Sequence, residues 1–237
     1  MPLPARLPDE TLAPAVHVFY LHGFASSARS SKAAFFAEKL RPLGYTLHAP
    51  DLNEPEFSTL TVTRMVDRVT NAIDALPPDR VALIGSSLGA FVAVQTALRR
   101  PGQVDRLVLL APALDFGGNR MRDLGGRGLE EWERTNRLDV FHYGYGRIIP
   151  VHYDLYVDAR RYNCLDAQLA MPVQIFQGLH DTAVDPVAVR RWAEARPNVE
   201  LHQLDDDHQL LASLDYIWGS AARFLNLADA QAERRAR

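Results

Sequence analysis

Val81-Ala82-Leu83-Ile84-Gly85-Ser86-Ser87-Leu88-Gly89-Ala90 is the stretch on which the reading of this chain turns. A short apolar run enters Gly-Ser-Ser-Leu-Gly, and a helix of small and apolar residues leaves it. This is the G-x-S-x-G pattern between a strand and a helix, where the turn is sharp and its central hydroxyl is exposed. Side chains two positions before and after Ser87 would crowd such a turn, so Gly85 and Gly89 answer a steric requirement. The bland alternative is a serine that only caps the following helix.

Strand and helix signals alternate on both sides of this turn. Residues 16–21 read as a strand that ends in His22-Gly23-Phe24. Residues 32–40 read as a helix capped by Ser30 or Ser31 and followed by Gly44. Residues 45–49 form the next expected strand. Val62, Met65, Val66, Val69, Ile73 and Leu76 then fall on one helical face, with Ser58 or Thr59 as cap and Pro77-Pro78 as stop. The run 107–111 is apolar throughout, as suits a parallel strand buried on both faces. After residue 166 come strands at 173–176 and 199–204, with a helix from Pro186 between them and a final helix over 210–227. Asp185 before Pro186 fits an N-cap.

The rhythm breaks between 115 and 166. Gly117, Gly118, Gly125, Gly126 and Gly128 open this segment. A short helix carrying Trp132 follows, and Gly144-Tyr145-Gly146 separates two hairpin strands. A further helix is expected over 154–162. The expectation is one domain, 1–237, of α/β class. It holds a mostly parallel doubly wound sheet of about six to seven strands, with helices on both faces and a small cap inserted at about 115–166.

Composition narrows the function. The 237 residues are 47% hydrophobic and 23% charged with a net charge of −3, which disfavours a nucleic-acid partner. The lone Cys164 permits no intrachain disulfide. No apolar run reaches membrane-spanning or signal-peptide length, so the reading is a cytoplasmic chain. No G-x-G-x-x-G run follows a strand, so no nucleotide cofactor is expected. His180, Asp181, Asp207 and His208 stand near one another, but without zinc-ligand spacing, and no metal is expected.

A serine hydroxyl needs a base to take its proton, a group to orient that base, and donors for the oxygen that becomes negative. Ser87, Asp181 and His208 occur in the chain order serine, acid, histidine, each just after an expected strand. Ligands bind beyond the carboxyl ends of strands in such sheets. Asp185 is the rival acid, but its N-cap position accounts for it. Ser86 is the rival hydroxyl, off the centre of the motif.

With Leu21-His22-Gly23-Phe24, Gly85-Ser86-Ser87-Leu88-Gly89, Gly178-Leu179-His180-Asp181 and Asp207-His208, residues 16–227 resemble the α/β-hydrolase fold superfamily. The likeness is to small bacterial esterases and thioesterases and to serine-aminopeptidase-like hydrolases. Here three aspartates precede the histidine, where those proteins have a small residue. The resemblance implies a nucleophile at Ser87, a base at His208, an acid at Asp181, and an oxyanion hole from the N–H groups of Leu88 and Phe24. It implies a serine hydrolase acting on a small-molecule ester or thioester. A peptidase or amidase with the same triad, a cofactor-free lyase or perhydrolase, and a weakly active binding protein stay open. His22, Ser86, Trp132, Phe141 and Tyr143 are candidate substrate contacts, His22 also through the oxyanion loop.

Overall fold

The run that enters the serine turn sits at the centre of a sheet. The computed structural model describes residues 16–116 and 126–227. The lead-in, Gly117, Gly118, Gly125 and the polar tail lie outside them. β1 (Val16–Leu21) pairs on one side with β2 (Leu47–His48) and on the other with β3 (Arg80–Ser86). β4 (Val104–Leu110) continues outward from β3. Past the inserted segment, β7 (Val173–Gly178) and β8 (Val199–Leu204) complete the sheet. The order is β2-β1-β3-β4-β7-β8, and every pairing is parallel. Winding goes one way from β1 to β2 and the other way from β3 onward. A crevice therefore opens between the carboxyl ends of β1 and β3, where such sheets bind ligands.

Alternation along each strand divides two cores. Phe19, Leu21, Val81, Leu83, Leu107, Leu109 and Ile175 face one way. They meet α2 (Val62–Asp74), α3 (Leu88–Arg99) and α6 (Pro186–Glu194). Val18, Tyr20, Ala82, Ile84, Val108 and Leu110 face the other way, toward α1 (Ser31–Leu40) and α7 (Leu214–Phe224). Every residue from Leu88 to Ala97 is buried, so α3 needs no polar stripe, and its sequence has none.

Element ends follow local chemistry. Ser30 caps α1 through Ala33 N, and Asp185 caps α6 through Val187 N. The cap of α2 is Thr61, which accepts from Arg64 N; the helix starts at Val62, so Ser58 and Thr59, the expected caps, lie too early in the chain to cap it. The Ser58 carbonyl accepts from His152 N, and Thr59 accepts from the Arg64 guanidinium. The expected strand at 45–49 shrinks to two residues. Tyr45 turns into the core and donates its hydroxyl proton to the Leu227 carbonyl, and Pro50 has no N–H to give. The final helix starts at Leu214, not at 210. Residues 210–213 stay in the loop before it, with Leu210 at φ 55° and fully buried.

Between β4 and β7 lie α4 (Gly126–Thr135), the hairpin β5 (Leu138–His142) and β6 (Arg147–Val151), and α5 (Asp154–Ala159). Trp132, a candidate substrate contact by sequence, is 1% exposed and donates to the Val151 carbonyl at 2.8 Å. Tyr153 and Tyr156 pack against its ring. It therefore ties the hairpin to α4 instead of facing a ligand. Trp132→Ala should lower stability by about 3–5 kcal/mol, read as a shift in the denaturation midpoint.

Candidate functional site

Ser87 has φ 53° and ψ −113°, a conformation that costs a side-chain-bearing residue about 1–3 kcal/mol. Hydrogen bonds hold it there. Its N–H donates to the Leu110 carbonyl at 2.9 Å, and its own carbonyl accepts from Ala90, Phe91 and Ala113. Close packing leaves no relaxed alternative. A Cβ on Gly85 would lie 2.6 Å from Ala90 Cα. One on Gly89 would fall on the Leu21 carbonyl and 2.7 Å from that of His22. The Ser87 side chain makes no capping hydrogen bond to α3, unlike Ser30 on α1, so the simple N-cap reading does not explain it.

Asp181 follows β7, and four donors surround its buried carboxylate. One oxygen accepts from the N–H groups of Ala183 and Val184, each at 2.7 Å. The other accepts from Gln177 Nε2 at 2.9 Å and His208 Nδ1 at 2.8 Å. Burial pushes this carboxyl up. The hydrogen bonds from His208, the Val184 amide and Gln177, with the His208 charge, outweigh it and hold the group below its usual range. Asp181 is thus an ionised partner for one face of the imidazole. Asp185, the rival acid, spends its carboxylate on capping α6.

The three aspartates before His208 each brace the loop. Asp205 pairs with His180 at 2.6 Å. Asp206 accepts from Ser213 N, and Asp207 from Gln209 N. From α1, Lys32 Nζ donates to the Gln209 carbonyl at 2.8 Å. In the sequence these carboxylates are a charge run. In the structure Asp206 and Asp207 cap the turn, and Asp205 holds His180 at its edge.

The loop after β1 lies against the serine turn: a Cβ on Gly23 would be 3.4 Å from Ser87 Cβ. His22 is 1% exposed. Its Nε2 lies 3.0 Å from Leu52 N and 3.2 Å from the Asp51 carboxylate, and its Nδ1 lies 2.9 Å from the Gly23 carbonyl. Asn53 adds a bond from Nδ2 to the Ser26 carbonyl. The hairpin tip rests on the same loop, with Tyr143 N donating to the Ala25 carbonyl and Gly144 packed on Ser27. His142 beneath it is fully buried, stacked on Tyr145 and edge-on to Phe57.

These parts border an open cleft of about 1540 Å³, lined among others by Phe24, Ser87, Leu88, Tyr143, Tyr145 and His208. Ser86 also reaches it and bonds Tyr20, whose hydroxyl burial pushes up to about 12. Among the described residues, no group accepts a hydrogen bond from the Leu88 or Phe24 amide. His22 and Phe141, two expected substrate contacts, do not border the cavity. His22 acts inside the protein as a brace, and Phe141 is 49% exposed and packs on Tyr143. Gln177, Asn53 and Lys32 were not legible as site residues, because nothing in their sequence neighbourhood separates them from ordinary polar positions. Among the described residues no group of three or more His, Cys, Asp or Glu side chains is placed to hold a metal ion. No described helix is long and apolar enough to cross a membrane.

A six-stranded parallel sheet flanked by helices, with a strained serine after β3 and an Asp–His contact after β7 and β8, defines the α/β-hydrolase fold. Solved structures agree on that architecture. One from Agrobacterium vitis S4 superposes with a TM-score of 0.77 at 22% identity, covering 88% of this chain and 87% of that one. Mouse alpha/beta hydrolase domain-containing protein 10 gives 0.73 at 18% identity, covering 89% of each chain. The chain belongs to UPF0227, described as an uncharacterised protein family, whose model matches residues 17–225. It is 35% identical to Lipase LipV of Mycobacterium tuberculosis over 80 residues, 32% of this chain and 31% of that protein. It is 27% identical to 2-hydroxymuconate semialdehyde hydrolase of Pseudomonas sp. CF600 over 139 residues, 57% of this chain and 44% of that protein. The matches thus span less than half the length of these two curated relatives.

The tight crossing of α3 over β1 gives a direct check. Gly89→Ala should lower stability by about 1–3 kcal/mol, because the methyl meets backbone that cannot step aside; thermal denaturation measures it.

Proposed function

We propose that this protein is a serine hydrolase that cleaves carboxylic ester or thioester bonds through an acyl-enzyme. The observation that carries the reading is the 2.8 Å contact of His208 Nδ1 with the ionised Asp181, on the same cavity as the strained Ser87. With Nδ1 turned to Asp181, Nε2 is the nitrogen left to act as base. It takes the Ser87 proton as the oxygen attacks the carbonyl carbon. The tetrahedral oxyanion is held by the N–H groups of Leu88 and Phe24, neither of which has a protein acceptor among the described residues. Asp181 orients the imidazole and stabilises its charged form. The imidazolium then protonates the leaving alcohol or thiol, and the carbonyl re-forms as the acyl-enzyme. Water, deprotonated by the same nitrogen, attacks next; the acid leaves and Ser87 regains its proton.

The relatives' names, a lipase and a semialdehyde hydrolase, support hydrolysis as the reaction class. The cavity supports a polar or short-chain substrate over a long alkyl one. Phe24, Leu88, Ala113 and Phe116 supply apolar lining, and Ser27, Arg29, Ser30, Asp51 and Glu54 add polar and charged groups. A long chain would desolvate these groups without returning hydrogen bonds.

A fluorophosphonate probe should label the wild type and not Ser87→Ala. Absence of labelling on folded wild type would remove the activated serine. Labelling that survives the substitution would move it to another residue. Asp181→Asn should lower kcat about 10⁴-fold by favouring the wrong imidazole tautomer. Asp185→Asn should leave kcat nearly unchanged, since asparagine caps helices as well as aspartate. In a series of p-nitrophenyl esters, acetyl and butyryl should be turned over faster than dodecanoyl; the opposite order would refute the polar-cavity preference.

A further inference from the structure

Lys32 is a buried ionisable group that this mechanism leaves without a task. It stands in the first turn of α1, is 8% exposed and reaches the cavity wall. Its ammonium donates to the carbonyl of Gln209, the residue after His208, at 2.8 Å. Asp207, Asp206 and Asp181 are the charged groups whose fields act on it. Burial pushes the ammonium down to about 8, and those three carboxylates keep it from falling further.

A lysine is a poor choice for filling such a place. Desolvating an ammonium is unfavourable, and methionine would fill the same volume without it. What methionine lacks is a charge-assisted bond to the base loop. That loop needs holding. It contains Leu210 at φ 55°, outside the comfortable range of a branched side chain, and it delivers His208 to Asp181 on one side and to the cavity on the other. Lys32 also lies in the first turn of the helix that follows Phe24 and its loop. One side chain thus joins the segment bearing the proposed oxyanion donor to the segment bearing the proposed base.

We propose that Lys32 is a positioning residue that sets the place of His208 by clamping the Gln209 carbonyl from α1. This rests on the reading of Ser87, His208 and Asp181 as the reacting set. Loss of the clamp lets the base loop drift, and a small displacement of a base from its nucleophile lowers turnover without altering substrate binding.

The test compares wild type, Lys32→Met and Lys32→Arg. It uses steady-state hydrolysis of p-nitrophenyl butyrate, active-site titration with a fluorophosphonate, and thermal denaturation. Lys32→Met should melt no lower than wild type and keep KM within about twofold, while kcat per titrated site falls about 10- to 100-fold. Lys32→Arg, which keeps the charge and donors, should recover part of that loss. In wild type, kcat should decline as the pH rises through about 8, after subtraction of spontaneous hydrolysis, as Lys32 loses its charge. Lys32→Met should lack that limb.

The inference is overturned by an unchanged kcat in Lys32→Met, by a loss fully matched by fewer titratable sites, or by a wild-type profile flat to about pH 10. Should Lys32→Met not fold, the wild-type profile decides. The two readings separate cleanly. A folded wild type that is neither labelled nor active sinks the hydrolase reading beneath this one, whereas a labelled wild type with an indifferent Lys32→Met sinks only the role of Lys32.

Discussion

The close crossing of α3 over β1 and β3 is the constraint on which the structure depends. Gly89 lies against the Leu21 carbonyl and Gly85 against the backbone of Ala90, so the chain must reverse within one residue between strand and helix. That residue is Ser87, at φ 53°. Its strain is local, and the restraint is distributed over the Leu110 carbonyl, the Ala113 amide and the first turn of α3. Burial of the whole span Leu88–Ala97 keeps the helix from sliding away. A tight apolar core thereby places a polar group at the mouth of the sheet.

The other parts of the candidate site are held by polar braces. Asp181 has four donors, and the aspartates before His208 each satisfy a local partner. His22 uses both nitrogens on the neighbouring loops, Nδ1 at the Gly23 carbonyl and Nε2 at Leu52 N and the Asp51 carboxylate. Loops at a sheet edge cannot be fixed by hydrophobic burial alone, because their backbone must stay hydrogen-bonded. Here charged side chains do that work beside the cavity, which also explains why so polar a sequence surrounds an apolar sheet.

Much of this was legible in advance. The turn at Ser87, the strand 199–204, the caps Ser30 and Asp185, and the hairpin around Gly144-Tyr145-Gly146 rest on local rules of sterics and capping. Less legible were the side chains whose partners lie far along the chain. Trp132 reads as an aromatic of the inserted segment, and packing makes it the pin of a hairpin. Lys32 reads only as the start of a helix, yet its partner is 177 positions away. Thr61, not Ser58 or Thr59, caps α2 because the first helical turn begins only at Val62, a boundary that local pattern places poorly.

By itself the sequence determined the alternation of strands and helices, the two glycines that permit the serine turn, and the order in which serine, acid and histidine follow their strands. These are matters of period, sterics and chain order, and each is visible within a few residues. Only the tertiary structure decided which side chains reach the cavity and which vanish into the core. It also decided that His208 meets Asp181, not Asp185 or its own aspartate neighbours. Such choices depend on the winding of the sheet, which brings the ends of β1, β3, β7 and β8 to one edge and sets a polarity for the space between them.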